Sequence, residues 1–217
     1  MKLEYYFAEF FTDKIIREKY FPDFSYHGTM IEVGGGTPSY LSMSKHFKMN
    51  GWRCIIIEPN PTLAEMHRKA GNEIYEFACS EEDKDDVNFQ IVHISDDYYS
   101  DSTITDQSFS SISIKQSYLD LVKANINKLP IVNVKVKTRK LDTILNDIKP
   151  ESIDFISIDV EGWELEVMNG FSSLQTYKPK VVVLENWLSQ PEYTSYMEKL
   201  GYKFDGQVNY NYMYSPK

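Results

Sequence analysis

Apolar positions along the chain follow two spacings, and their alternation predicts the architecture. "LEYYFAEFFTDKIIREKYF" (3–21) carries aromatic and aliphatic residues at helical intervals and predicts a packed helix inside an N-terminal extension, 1–25. "TMIEV" then predicts a strand, followed by three glycines. "TPSYLSMSKHFKMNG" predicts a helix with Thr37 as N-cap, Pro38 in the first position and Gly51 as the stop. "WRCIIIEP" is the next strand, and "NPTLAEMHRKAG" repeats the helical grammar, with Asn60 capping, Pro61 starting and Gly71 ending. "EIYEFACS" reads as a third strand. Strand, helix, strand, helix, strand is the order of a parallel sheet wound with helices.

The middle breaks that rhythm. "VNFQIVHIS" (87–95) and "IVNVKVKTR" (131–139) alternate apolar and polar residues, as strands with one solvated face do. Between them "DDYYSDSTITDQSFSSIS" is rich in Ser, Asp and Thr, and a stretch of that kind inside a domain acts as a lid, a binding loop or a disordered segment. We expect 87–139 to form an antiparallel insertion over the active face. The earlier rhythm then resumes with "LDTILNDI", "IDFISID", "GWELEVMNGF", "KVVVLEN" and "PEYTSYMEKLG", before a Tyr-rich final hairpin.

Composition narrows the class. A chain of 217 residues with 42% apolar residues fits one large domain better than two small ones. Its formal charge of −9 argues against nucleic acid, whose binding rests on Lys/Arg clusters. The basic run "VKVKTRK" (134–140) reads as the solvated face of a strand. The acids in the opening residues argue against a signal peptide, and no apolar run approaches the roughly 20 residues of a membrane span. A cytoplasmic protein is expected. Cys54 and Cys79 lie in strand-like segments and make no disulfide framework, so both are read as reduced.

The glycine turn carries the first chemistry. In "IEVGGGTPSY" a ligand can approach bare backbone between a strand and an expected helix N-terminus. Gly34 and Gly36 match the start of a dinucleotide fingerprint, but its third position is Ser39. Glu32 separates the readings, since a carboxylate there repels a pyrophosphate and suits the sulfonium and amino group of S-adenosylmethionine. Glu58 ends the second strand, 24 residues after Gly34, where an acid accepts hydrogen bonds from ribose hydroxyls. Cys79, closing the third strand segment, is grouped with these cofactor-side residues.

"IEVGGG", "IIIEPNP" and above all "KLDTIL…IDFISIDVEGWELEVMNGF…PKVVVLEN" resemble the FkbM family of S-adenosylmethionine-dependent methyltransferases. The resemblance runs over roughly residues 30 to 187, and its specific part is the I-D-V-E-G-x-E block. It implies a Rossmann-like α/β fold with a mostly parallel seven-stranded sheet, and O-methylation of a hydroxyl on a sugar, glycan or related natural product. Ser157, Trp163 and Pro38 depart from residues common in the family, which bears on the shape of the pocket and hence on the acceptor.

In an open α/β sheet ligands sit beyond the carboxyl ends of the strands, so "SIDVEG" aims Asp159 and Glu161 at the reaction site. If strand geometry continues through 161, the two project to one side. Glu161 is the first candidate general base, Asp159 its neighbour in the catalytic and cofactor sets, and His93 in "IVHIS" the second candidate base. Glu164 reads as a first-turn helix acid. His27, His46 and His67 are read as structural. Asp159 with Glu185 and Asn186 makes a candidate oxygen site for Mg²⁺, which resembles that of metal-dependent sugar and catechol O-methyltransferases. Tyr98 and Tyr99 are candidates for stacking on a sugar, and the tail "YNYMY" for lining the pocket or forming a homodimer contact. Two rival classes stay open: an NAD-dependent oxidoreductase using the same turn, and a non-catalytic binding module on a relict methyltransferase fold.

Overall fold

The computed structural model describes residues 4–92, 110–112, 114 and 131–217. Seven strands form the main sheet: β1 Thr29–Val33, β2 Arg53–Ile57, β3 Glu73–Tyr75, β7 Phe155–Ile158, β8 Val181–Glu185, β9 Tyr202–Val208 and β10 Asn211–Pro216. Their order is β3-β2-β1-β7-β8-β10-β9. The first five run parallel, and β10 is antiparallel to both β8 and β9. The chain order reverses direction between β1 and β7, so the carboxyl ends of these two strands open a crevice there.

Alternation along the strands buries both faces. Ile31, Val33, Ile55, Ile57, Ile156 and Ile158 point to one side, into a core completed by Leu141, Ile144 and Leu145 of α4 (Leu141–Ile148) and Val167 and Met168 of α5 (Glu164–Asn169). Met30, Cys54, Ile56, Phe155 and Val183 point to the other, against Ile16 of α1 (Thr12–Tyr20) and Phe47 of α2 (Ser44–Met49). A strand covered on both faces must read as a continuous apolar run, as "RCIII" and "VVVL" do. The remaining helices are α3 Pro61–Lys69, the short α6 Leu174–Tyr177 and α7 Pro191–Lys199. Among the described residues no helix is long and apolar enough to cross a membrane.

Three sequence expectations are corrected. The N-terminal helix starts only at Thr12. Upstream, Ala8 makes a bridge to Leu41, His46 Nδ1 bonds the Tyr5 carbonyl at 2.7 Å, and Phe10 and Phe11 adopt left-handed φ of 53° and 57°. Long-range pairing there overrides the helical spacing. Thr37 does not cap a helix either: its hydroxyl bonds the Tyr40 N–H and carbonyl, closing a turn, and α2 begins seven residues later at Ser44. "EIYEFACS" divides, with β3 in the main sheet and β4 (Ala78–Cys79) in a second one.

That second sheet has the order β4-β6-β5, with β5 (Lys84–Val92) and β6 (Ile131–Arg139) antiparallel. Asp142, in the first turn of α4, accepts hydrogen bonds from the backbone N–H and hydroxyl groups of Ser172 and Ser173. The start of "LDTILNDI" is thus tied to the segment that follows α5. His93, Tyr98 and Tyr99, and most of the segment between β5 and β6, lie outside the described residues.

Candidate active site

The turn after β1 is built on glycine for steric reasons. Gly34 and Gly36 have φ of +82° and +53°, a region that favours residues without a side chain. A Cβ on Gly34 would fall 1.7 Å from the Asp159 carbonyl oxygen, and one on Gly35 2.3 Å from Ile56 Cγ2. The turn is held from below, as the N–H groups of Gly34 and Gly35 both donate to the Ile57 carbonyl. His67 braces it from α3, with Nε2 3.1 Å from the Gly36 carbonyl and Nδ1 2.8 Å from the Asn72 amide nitrogen. No helix follows the turn directly, so the expected helix N-terminus is replaced by the backbone of residues 37–43.

Carboxylates gather around this turn. Glu32 is buried beside it: Oε1 accepts the Met43 N–H at 2.8 Å, while Oε2 is buried without a hydrogen-bond partner. Burial pushes its pKa up to about 7. Glu58 accepts the N–H of Gly36 at 3.0 Å on one oxygen and that of Asn60 at 2.8 Å on the other, and burial raises it likewise to about 7. Asn60 caps α3 by accepting the Thr62 N–H at 3.0 Å, and Pro61 starts the helix, as the sequence grammar indicates.

Across the crevice, β7 stops at Ile158. Strand alternation therefore does not extend to 161: Glu161 turns left-handed at φ 58° and Gly162 at 95°. The turn is fixed by Glu164, whose Oε1 accepts the Val160 and Gly162 N–H groups at 3.0 and 3.1 Å, and whose Oε2 accepts the Tyr193 hydroxyl at 2.7 Å. The third acid of the block is thus a structural brace. Asp159 opens into the crevice, and its desolvated surroundings, together with the charge of Glu164, raise its pKa to about 7. Glu185, at the end of β8, is only 7% exposed. Burial and the nearby charges of Asp159, Glu161 and Glu164 lift it well above the ordinary carboxylate range.

These groups surround one cavity of about 500 Å³, which includes Glu32, Gly34, Gly36, Glu58, Cys79, Asp159, Glu161 and Glu185 in its lining. Cys79 is buried in its wall, and burial raises its thiol pKa. Asn186 is not in that lining: its side chain bonds the Gln190 carbonyl at 2.9 Å and the Gln190 N–H at 2.8 Å. Asp159 and Glu185 do lie close, and with Glu164 each offers an oxygen within 4.8 Å of the others. Glu164 already holds protein donors and the Asn186 side chain is tied to Gln190, which leaves Asp159 and Glu185, hydrogen-bonded to each other, in the cavity lining.

Sequence reasoning missed Glu9, Tyr40 and Trp187, which also line the cavity. Glu9 arrives from the N-terminal extension and accepts a hydrogen bond from Tyr210, a residue of the aromatic tail that likewise lines the cavity. Neither the extension nor the loop after β8 carries a local signal of that placement.

A mostly parallel sheet with its glycine turn, its acids and its cavity at the carboxyl ends of β1, β2 and β7 defines a Rossmann-like α/β protein of the methyltransferase type. The chain belongs to the family of the Methyltransferase FkbM domain, whose model matches residues 28–204. Its fold is similar to the crystal structure of Methyltransferase FkbM from Methylobacillus flagellatus KT, with a TM-score of 0.53 and 13% sequence identity. That likeness covers 87% of this chain and 43% of the other, so this chain spans less than half the length of that protein. Among curated proteins there is no significant match.

Proposed function

We propose that the protein is an S-adenosylmethionine-dependent O-methyltransferase acting on a hydroxyl of a sugar, glycan or related natural product. The observation that carries this reading is the convergence of Glu32, Glu58 and Asp159 on a glycine turn at the mouth of one cavity. The residues fit the cofactor: the glycines leave room for close approach, Glu32 keeps a buried oxygen without a partner, and carboxylates suit a ligand with two cationic groups. They suit a pyrophosphate poorly, which weighs against the oxidoreductase reading.

When bound, S-adenosylmethionine supplies a methyl group on a cationic sulfur that departs as a neutral thioether. Glu58 is assigned the ribose hydroxyls, and its two backbone N–H bonds hold its carboxylate in place for them. Glu32 and Asp159 offset positive charge on the amino acid end. Glu161, presented by the left-handed turn, is assigned the proton of the acceptor hydroxyl, and a positioned base of this kind contributes about 10²–10⁴-fold. Aligning acceptor and donor supplies up to roughly 7–11 kcal/mol in favourable systems. Mg²⁺ is not needed for these roles, and of the expected ligands Asp159 and Glu185 remain available to it.

The test is transfer of labelled methyl from S-adenosylmethionine to a panel of polyhydroxylated acceptors, with and without chelator, alongside the thermal shift given by S-adenosylhomocysteine. Transfer to a hydroxyl unaffected by chelator supports the reading. Failure of S-adenosylhomocysteine to bind at millimolar concentration would return the protein to the class of relict binding modules.

A further inference from the structure

The charge of the cavity carries more information than the cofactor uses. Glu9, Glu32, Glu58, Asp159, Glu161 and Glu185 all line it, and no Lys, Arg or His does among the described residues. S-adenosylmethionine has two cationic groups and one carboxylate, so it brings a net charge of about +1. Glu32, Glu58 and Asp159 stand at the glycine turn, where that charge is received.

The other three acids, Glu9, Glu161 and Glu185, gather around Asp159. Asp159 and Glu185 present oxygens within 4.8 Å of each other. Glu161 lies near enough to raise Glu185, and Glu9 near enough to raise Asp159. Tyr210 stands among them and feels Glu9, Glu185 and Asp159 alike. An acidic cluster alone is commonly just hydrated, but here Glu185 adds a separate sign: it is 7% exposed and its Oε2 is buried with no hydrogen-bond partner. A buried acceptor left unpaired costs free energy that a ligand donor recovers. The lining also carries the aromatic rings of Trp187, two residues after Glu185, and of Tyr210, and such ring faces attract cations.

We propose that the acceptor is a polyol bearing a free amino group, such as an amino sugar or aminocyclitol, whose ammonium is received by Glu9 and Glu185 beside Trp187 and Tyr210. The inference rests on the methyltransferase reading and narrows its substrate class. It disfavours sugar nucleotides and other phosphorylated acceptors, for which the described lining holds no positive group.

The test is calorimetric binding to the protein saturated with S-adenosylhomocysteine, using a panel of amino sugars and aminocyclitols, their N-acetylated counterparts and their phosphate esters. Saturation by S-adenosylhomocysteine is checked first, and its failure counts against the methyltransferase reading itself. At least one free amine is expected to bind ten-fold or more tighter than its N-acetyl form, with the phosphate ester weakest. That preference is expected to shrink between about 0.05 and 0.5 M salt, since screening weakens charge recognition. Glu9→Gln is expected to reduce it several-fold while leaving S-adenosylhomocysteine affinity within two-fold. Equal binding of amine and N-acetyl forms, tighter binding of the phosphate ester, or no binding by any of the amines overturns the proposal.

Discussion

Glu58 and Gly36 are joined by a hydrogen bond, the carboxylate at the end of β2 accepting the backbone N–H of the glycine turn at 3.0 Å. The bond fixes the two halves of the assigned cofactor cradle relative to each other, although they lie 22 residues apart. Replacing Glu58 by alanine removes the acceptor assigned to the ribose and leaves the Gly36 and Asn60 N–H groups unpaired. Lost hydrogen bonds to a charged group cost about 1.5–3 kcal/mol. We expect Glu58→Ala to raise the dissociation constant for S-adenosylhomocysteine by ten-fold or more, measured by calorimetry. An unchanged constant would remove Glu58 from the cofactor site.

Gly34 is where backbone and packing constraints coincide. At φ +82° with the Asp159 carbonyl 1.7 Å from any Cβ, an alanine can be accommodated only if the turn and the end of β7 separate. Strain of this kind and the resulting displacement cost about 3 kcal/mol or more. Gly34→Ala is expected to lower the urea midpoint markedly and to abolish S-adenosylhomocysteine binding. Gly71→Ala makes a useful contrast, since its φ of +66° is also left-handed but nothing lies within 4 Å of its Cβ. That variant should lose about 1 kcal/mol and keep ligand binding. Equal losses in the two would show that backbone conformation, not the contact with Asp159, dictates glycine at 34.

How far the sequence foretold this arrangement depends on the range of the forces at work. The strands around "TMIEV", "RCIII", "DFISI" and "VVVLE" were legible because burial on both faces imposes an unbroken apolar run. Asn60 and Pro61 were legible because helix capping is local. Thr37-Pro38 carries the same local grammar and starts no helix, since Thr37 closes a turn on Tyr40 and Leu41 pairs with Ala8. Local propensity yields there to a contact 33 residues away in sequence. The acids at 32, 58 and 159 could be placed from strand ends alone. Glu9 could not, because its approach to Tyr210 spans 201 residues. Asn186 shows the converse: a residue correctly placed at a strand end, whose side chain turns back to close a loop on Gln190.

Buried carboxyls give the protein a characteristic response to pH. Glu32 and Glu58 are raised from 4.5 to about 7, so across that interval the folded state holds protons that the unfolded chain releases. Their contribution to stability is fully present at low pH and is lost as pH rises through about 7. His46 and His67 are lowered by burial and act in the opposite direction below 6.5. The carboxyl effect is therefore cleanest above pH 6.5, where those imidazoles are largely neutral whether the chain is folded or not. Thermal melting of the ligand-free protein should show a midpoint that falls between about pH 6.5 and 8, and Glu32→Gln should flatten that fall. A midpoint that rises over the same interval would contradict the burial of these two acids.

Glu161 is presented to the cavity by a backbone that few residues adopt, left-handed at φ 58° and followed by Gly162 at 95°. Such strain persists where surrounding contacts enforce it, and here Glu164 enforces it by accepting two N–H groups of the same turn. The backbone that presents Glu161 is therefore held by Glu164, which is itself tied to Tyr193. Glu161→Gln preserves shape and removes basicity, so it separates a proton acceptor from a side chain that merely contacts the acceptor. We expect turnover to fall by about 10²-fold or more. S-adenosylhomocysteine affinity should stay within two-fold and the melting midpoint should move little, because Gln keeps the size and shape of the side chain and the turn is held by Glu164. Glu164→Gln should behave differently, lowering the melting midpoint and turnover together as the turn loosens. Full turnover by Glu161→Gln would transfer the base to another group, and a joint loss of stability would reduce Glu161 to a structural member of the turn.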